Sequence, residues 1–493
     1  MRFPLPRPLS KGEGSTPALN WLAYLWPVLL FLQTCSVPQL ATHTASVPLP
    51  ATFADSTGRD TLAAVAGQSW NELFGDPYLR QLIDSALVNN REVNIALQRI
   101  GVARNEIQAR RGEYLPSVNI GVAPEVEKVG RYTRNGAIEE SLEITEDQYF
   151  PKFLPNFQAG LYASWELDIW NKLRNARKVA VFEYLATVEG RNFLITNLVA
   201  EVANSYYELL ALDSQLRNLQ NTLSIQEDAL RVVNLLQQAG RSNSLAVRRF
   251  EAEIQKNRSE IYSIQQEVSA TENRLNFLVG RTPQPVARQS DDFLDLQPPV
   301  FQTGVPSQLL TNRPDIRQAE LELAAADLNI QVARANFLPS FGIRAGLGYQ
   351  AFNPRYLLRT PESLMLSLAG DAVAPLVNRN AIQAEYQNSG ARQVQAAYEY
   401  EQSILRAYQE VSTQLSNIDN LAGTYRLKEE QVASLNQATD ISNQLYQSAR
   451  ADYMEVLLTQ RDALEARTEL IDTKREQLSA VVNLYQALGG GWR

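Results

Sequence analysis

One cysteine, Cys35, and one histidine, His43, are all that this 493-residue chain offers for thiol or imidazole chemistry. A lone cysteine cannot form an internal disulfide or a thiolate cluster. Without histidine or cysteine in the body of the chain, zinc sites and Ser–His or Cys–His nucleophiles are excluded. Carboxylate-only catalysis is left, but the 54 Asp and Glu residues are spread along the chain and no pair stands out. The census points to a protein that is not an enzyme and holds no metal or cofactor. A net charge of −8 argues against a nucleic-acid surface. With 20% charged and 45% hydrophobic residues, the chain is expected to fold.

The remaining chemistry of Cys35 is acylation. Trp21 to Leu32 is an apolar run behind Arg2, Arg7 and Lys11. It falls short of the ~20 residues that a transmembrane helix needs and reads as a secretory signal peptide over 1–34. The cysteine follows as Leu32-Gln33-Thr34-Cys35, which resembles a bacterial lipobox, with Thr34 where a smaller residue is usual. Lipid attachment at Cys35 is expected, and Ser36 is compatible with release to the outer membrane.

The elements that follow carry two kinds of pattern. Residues 35–69 are rich in Pro, Thr, Ser and Ala and read as an extended arm. Trp70 to Pro77 is a turn signal, and Leu79, Leu82, Ile83, Ala86 and Leu87 then recur at helical spacing. A second helix spans about Val93 to Gly112. Four runs alternate instead. Val118 to Val122 is the first. In the second, Leu161, Ala163, Trp165, Leu167 and Ile169 oppose Tyr162, Ser164, Glu166 and Asp168. In the third, Phe341, Ile343, Ala345 and Leu347 oppose Gly342, Arg344, Gly346 and Gly348. In the fourth, Leu364, Leu366 and Leu368 oppose Ser363, Met365 and Ser367. One apolar and one polar face over about 9–11 residues fits a transmembrane β-strand, although a half-buried soluble sheet has the same period. Four strands cannot close a barrel and an open edge in lipid is forbidden, so transmembrane runs require several chains to pool their strands. An acidic stretch with Glu139, Glu140, Glu143, Glu146 and Asp147 separates the first two runs.

The other pattern is length. No proline occurs between Pro155 and Pro283 or after Pro375, and Leu209, Leu212, Leu216, Leu219, Leu223, Leu230 and Val233 form a near-heptad stripe. A helix from about Asn171 to Gly240 would run roughly 100 Å at about 1.5 Å per residue, far more than a globular core needs. Gly240-Arg-Ser-Asn-Ser244 breaks it, and Ala449-Arg-Ala-Asp-Tyr453 sits at the matching place later.

These places match because the chain looks duplicated. Tyr114-Leu-Pro-Ser117 and Phe337-Leu-Pro-Ser340 each close a helical run and open an alternating one. Leu275-Asn-Phe-Leu-Val-Gly280 answers Leu484-Tyr-Gln-Ala-Leu-Gly489. The expected organisation is 70–114 equatorial and first tunnel helices, 115–170 first strand pair with its acidic loop, and 171–281 helical hairpin with a tip near 240. There follow 282–308 linker, 309–337 helix of the second repeat, 338–378 second strand pair, 379–489 hairpin with a tip near 449, and 490–493 tail.

Four passages together resemble the TolC-like outer-membrane efflux ducts, in particular the lipoprotein branch that serves resistance-nodulation-division pumps. They are Trp70 to Pro77 with its helix; Leu309-Leu-Thr-Asn-Arg-Pro-Asp-Ile316 running on to Ser340; Ser164-Trp-Glu-Leu-Asp168; and Tyr453-Met-Glu-Val-Leu-Leu-Thr-Gln-Arg461. The resemblance implies a predominantly helical chain giving four strands to a trimeric twelve-stranded barrel, continued by a periplasmic helical tunnel. It implies a passive exit duct in the Gram-negative outer membrane, a homotrimer partnered by a periplasmic adaptor and an inner-membrane pump. Gly240, Arg241, Ala449 and Arg450 would meet the adaptor, and Glu166 and Arg344 would face the lumen. Met454, Glu455, Leu458 and Arg461 would line the closed aperture. Ala246 and Leu458 stand where relatives favour acids; with the Met454/Leu458 face turned inward, an apolar ring would gate by dewetting, the alternative being that the two side chains pack against a neighbouring helix. Two rivals stay open, a type I protein-secretion duct and a soluble periplasmic coiled-coil scaffold or adaptor; the paired amphipathic runs speak against the second. With methionine only at Met1, Met365 and Met454, no methionine relay points to copper(I).

Overall fold

A computed structural model describes residues 37–48, 50, 69–290, 292–298, 306–448 and 450–492. The signal peptide, Cys35 and Ala449 lie outside the described residues. The helices are α1 (Trp70–Leu73), α2 (Pro77–Asn89), α3 (Arg91–Tyr114), α4 (Arg134–Ser141), α5 (Lys172–Gln238), α6 (Ser244–Val279), α7 (Leu309–Asn312), α8 (Pro314–Ala335), α9 (Asn380–Gln447) and α10 (Tyr453–Ala487). The strands are β1 (Ser117–Glu127), β2 (Glu143–Thr145), β3 (Gln148–Tyr149), β4 (Leu154–Leu167), β5 (Ser340–Ala351) and β6 (Leu364–Val373). Among the described residues no helix is long and apolar enough to cross a membrane. The chain divides into two compact units.

The first unit takes in 113–175, 329–391 and the described residues before 43. Its centre is an antiparallel sheet in the order β1-β4-β5-β6. Helix α3 stops at Tyr114, two residues before Pro116, and α8 at Ala335, four residues before Pro339; a proline disfavours helical backbone at the residue before it. The strands start at once. Pro124 sits inside β1 without breaking a ladder, since β1 is an edge strand. The second strand begins earlier than its alternation indicates, at Leu154, and ends at Leu167, leaving Ile169 beyond it. The acidic stretch is no plain loop: Thr133 caps α4 through Gly136 N–H, and β2 pairs with β3. Val37 and Leu40 of the arm pack against Ala333, Phe337 and Tyr386.

The second unit takes in 43–112, 176–328 and 392–493. Its core joins Leu79 and Ile83 of α2, Tyr206, Leu209 and Leu210 of α5, Leu275 of α6, Ile316 of α8, and Ile471 and Tyr485 of α10. Asp76 starts α2 by accepting from Tyr78 N–H at 2.8 Å, with Pro77 at the first helical position. The same carboxylate accepts from Tyr206 Oη at 2.6 Å, and burial together with that bond pushes the phenol upward. Arg313, only 3% exposed, donates to Asp315 at 2.7 and 3.0 Å, to Glu410 at 2.7 Å and to the Ala487 carbonyl at 2.8 Å. Burial, the largest single influence, opposes the charge, but Asp315 and Glu410 together outweigh it and hold the guanidinium above its ordinary value. The Arg-Pro-Asp passage is thus both a helix start and a buried clamp.

Candidate functional site: two sheet faces and two helix tips

Register decides which residues share a face, because directly opposed residues in an antiparallel pair point the same way. Trp165 opposes Ile343, Leu167 opposes Phe341, and Leu161 lies between Ile120 and Leu347. Leu347 in turn opposes Leu366, and Ala345 opposes Leu368. All of these fall on one apolar face, where Ile120, Leu366 and Leu368 are about four-fifths exposed at 80%, 78% and 78%. A continuous exposed face of this kind needs an apolar partner or solvent. The four strands hold 11, 14, 12 and 10 residues, which suits the hydrocarbon layer.

Glu166 and Arg344 fall on the opposite, polar face. Arg344 Nη2 donates to Asp371 Oδ2 at 3.3 Å, and Lys172 Nζ donates to Glu166 at 2.8 Å. Neither partner had been singled out in the sequence. Asp371 was within reach, since the alternation of Ser363, Met365 and Ser367 continues through Ala369 to Asp371. Trp165 Nε1 donates to the Tyr114 carbonyl at 3.1 Å, leaving the indole body on the apolar side. Among the described residues, the outer edges of the sheet, on β1 and β6, carry no further strand.

At the far ends of the long helices the chain turns twice in the same manner. Arg241 N–H returns to the Leu236 carbonyl and Arg450 N–H to the Leu445 carbonyl, both at 2.8 Å. Each closes the helix as a Schellman-type bond does. Gly240 holds φ +70° with open space around it, and Asn243 caps α6 by accepting from Ala246 N–H at 2.9 Å. Arg241 and Arg450 are both exposed.

Val233, Ala246, Val247, Phe250, Tyr453 and Leu457 form an apolar cluster beside the tips, and Met454 packs against it. Arg249 Nη1 donates to Met454 Sδ at 3.2 Å. Leu458 is 40% exposed instead; Glu455 and Arg461 are exposed as well, the last paired with Asp462 at 2.9 Å. Met454 and Leu458 are four residues apart on α10; the methionine is partly buried against the tip cluster and the leucine is exposed. Further along, Gln226, Asn257 and Gln460 are buried on the same helix faces, before the next cluster of Leu219, Ile264 and Leu464. Asn257 Nδ2 donates to Gln226 Oε1 at 2.7 Å.

His43, isolated in the sequence, is docked. Its N–H donates to Gln393 Oε1 at 3.1 Å, and Gln393 Nε2 donates to its carbonyl at 2.8 Å. Its ring stacks on Tyr398 at 4.7 Å, with Nε2 2.9 Å from Glu401 Oε1. The same oxygen accepts from Ser46 N–H at 3.0 Å. The Ser46 N–H and then His43 lower the Glu401 carboxyl below its usual value.

Comparison with known proteins meets this geometry. The family profile described as Outer membrane efflux protein matches residues 82–281 and 305–490. The chain is 30% identical over 471 residues to the pyoverdine export outer membrane protein OpmQ of Pseudomonas putida, covering 95% of this chain and 97% of that one. It is also 30% identical over 471 residues to the cation efflux system protein CusC of Escherichia coli, covering 94% and 98%. Crystal structures of CusC superpose with a TM-score of 0.77 at 27% identity, over 92% of this chain and 100% of that one. The chain belongs to the outer membrane efflux protein family, and it is an outer-membrane exit duct with a TolC-like fold.

Proposed function

We propose that three copies of this chain pool their sheets into one twelve-stranded barrel, continued by the long helices as a periplasmic tunnel, and that solutes pass through it passively. The observation that carries this reading is the four-stranded sheet with one apolar face, one polar face and two open edges. In lipid those edges must be paired, and β6 of one copy against β1 of the next closes the ring. The apolar face then meets lipid, and Glu166 and Arg344 line the lumen. The duct is one limb of a tripartite pump: the energy comes from an inner-membrane partner through a periplasmic adaptor, which meets Gly240, Arg241, Ala449 and Arg450. The repeated tip bond and the matched glycines Gly280 and Gly489, at φ +76° and +83°, support a duplicated unit. Acylation of Cys35 adds an anchor next to the packed Val37 and Leu40.

The two relatives are named for different cargoes, pyoverdine and cations, so the duct is shared and the cargo is not. Met365 lies on the polar face, opposite Gly348, and Met454 packs against the tip cluster. The test is reconstitution. Cysteines at Val122 and Leu366 in neighbouring edges should cross-link into trimers, and the purified protein should form channels in planar bilayers. Monomers in mild detergent together with silent bilayers would refute the duct.

A further inference from the structure

The polar face of the sheet has a row without side chains. Gly121 opposes Gly160, and Gly160 opposes Gly348. The packing there is tight: a Cβ on Gly160 would lie 2.7 Å from the Cα of Gly348, and one on Gly348 would lie 2.6 Å from the Cα of Gly160. In the next row Tyr162 stands between Asn119 and Gly346. A Cβ on Gly121 would meet the Cε2 and Cδ2 edge of the Tyr162 ring at 3.0 and 3.2 Å. A Cβ on Gly346 would meet the opposite edge, Cδ1 and Cε1, at 3.4 and 3.6 Å. The ring therefore leans into the space that a side chain at Gly121 on β1 would fill, while over Gly346 on β5 the nearest group is the Ser367 hydroxyl, 2.6 Å from such a Cβ. Both edges of the ring are thus bordered by glycine positions, and the residue as a whole is half-buried.

We propose that Tyr162 is an aromatic platform of the duct, on which planar aromatic solutes stack as they pass, cationic ones most strongly. The inference rests on the reading above that the polar face lines the lumen. An aromatic ring flanked by glycines has no bulky neighbour at those positions to cover its electron-rich face, which attracts planar π-systems and cations. The charged groups nearby are already matched, Arg344 with Asp371 and Glu166 with Lys172. Threefold assembly sets three such rings at one height.

A ring laid over glycines also supports a sheet mechanically, and the experiment separates the two roles. Full-length trimers in planar bilayers are titrated with ethidium, a planar aromatic cation, and with tetraethylammonium as a non-planar cation. Ethidium should block the wild type and Tyr162→Phe alike, and better than tetraethylammonium does. Tyr162→Leu should keep its conductance and lose about three- to tenfold in ethidium block. Equal block by the two cations in wild type would overturn the platform whatever the variants do. So would undiminished ethidium block in a conducting Tyr162→Leu trimer, which would leave the ring a purely structural part. A wild-type protein that forms no channel would instead remove the duct reading, and the platform with it.

Discussion

Gly489 lies against the main-chain carbonyl of Asn312, so close that a Cβ on the glycine would stand 2.7 Å from that oxygen. Its φ is +83°, a conformation that L side chains resist. The end of α10 and the start of α8 are locked at this point, beside the Arg313 clamp. Gly489→Ala is expected to cost at least about 2 kcal/mol, from left-handed backbone and the lost approach together. Thermal melting of the detergent-solubilised protein measures it, and an unchanged midpoint would contradict the locking.

Acid should loosen the arm. The Glu401 carboxyl titrates below its ordinary value because Ser46 and His43 hold its charged form. A depressed carboxyl stabilises above its unfolded pKa, and that contribution is lost as pH falls through the folded one. The grip on residues 43–46 is therefore complete at neutral pH and fails only below the usual carboxylate range. Glu401→Gln should release it at every pH. Limited proteolysis of the arm as a function of pH, in wild type and Glu401→Gln, reads both; identical cleavage profiles would defeat the assignment.

Met454 and Leu458 should respond differently to a charge. Met454→Asp places a carboxylate against Val233, Phe250 and Leu457 and should destabilise the tip by about 1–3 kcal/mol. Leu458→Asp meets no such core. If Leu458 lines the closed aperture, the acid should raise single-channel conductance with the trimer intact. A stable Leu458→Asp trimer with unchanged conductance would place the constriction elsewhere.

The sequence was most legible where periodicity does the work. The alternation of Leu161 to Leu167 and of Phe341 to Leu347 identifies the strands and the correct faces, because one face must be apolar throughout. Gly240 and Asn243 mark the first tip through backbone preferences that leave a local trace. Partnerships between distant residues leave none. Nothing near Arg313 announces Glu410 or the Ala487 carbonyl, and nothing near His43 announces Gln393, Tyr398 and Glu401. The acidic stretch misleads for a related reason: charge predicts solvation, whereas α4 and the β2–β3 pair are built by a Thr133 cap and a short turn. The helical pitch relates Met454 to Leu458, but only the cluster around Phe250 shows that the methionine is engaged.

The bond from Asn257 to Gln226 fixes something that the apolar clusters on either side cannot. Leucine against leucine is nearly indifferent to sliding, since a similar contact recurs two turns later. A buried amide is not indifferent. Shifting α6 along α5 by one turn, about 5.4 Å, would strand both amides among aliphatic side chains, at about 1–3 kcal/mol for each group left without a partner. One polar rung thus keys the two helices to a single alignment, and so gives the Gly240 turn a defined place along a hairpin whose first arm alone is 67 residues long.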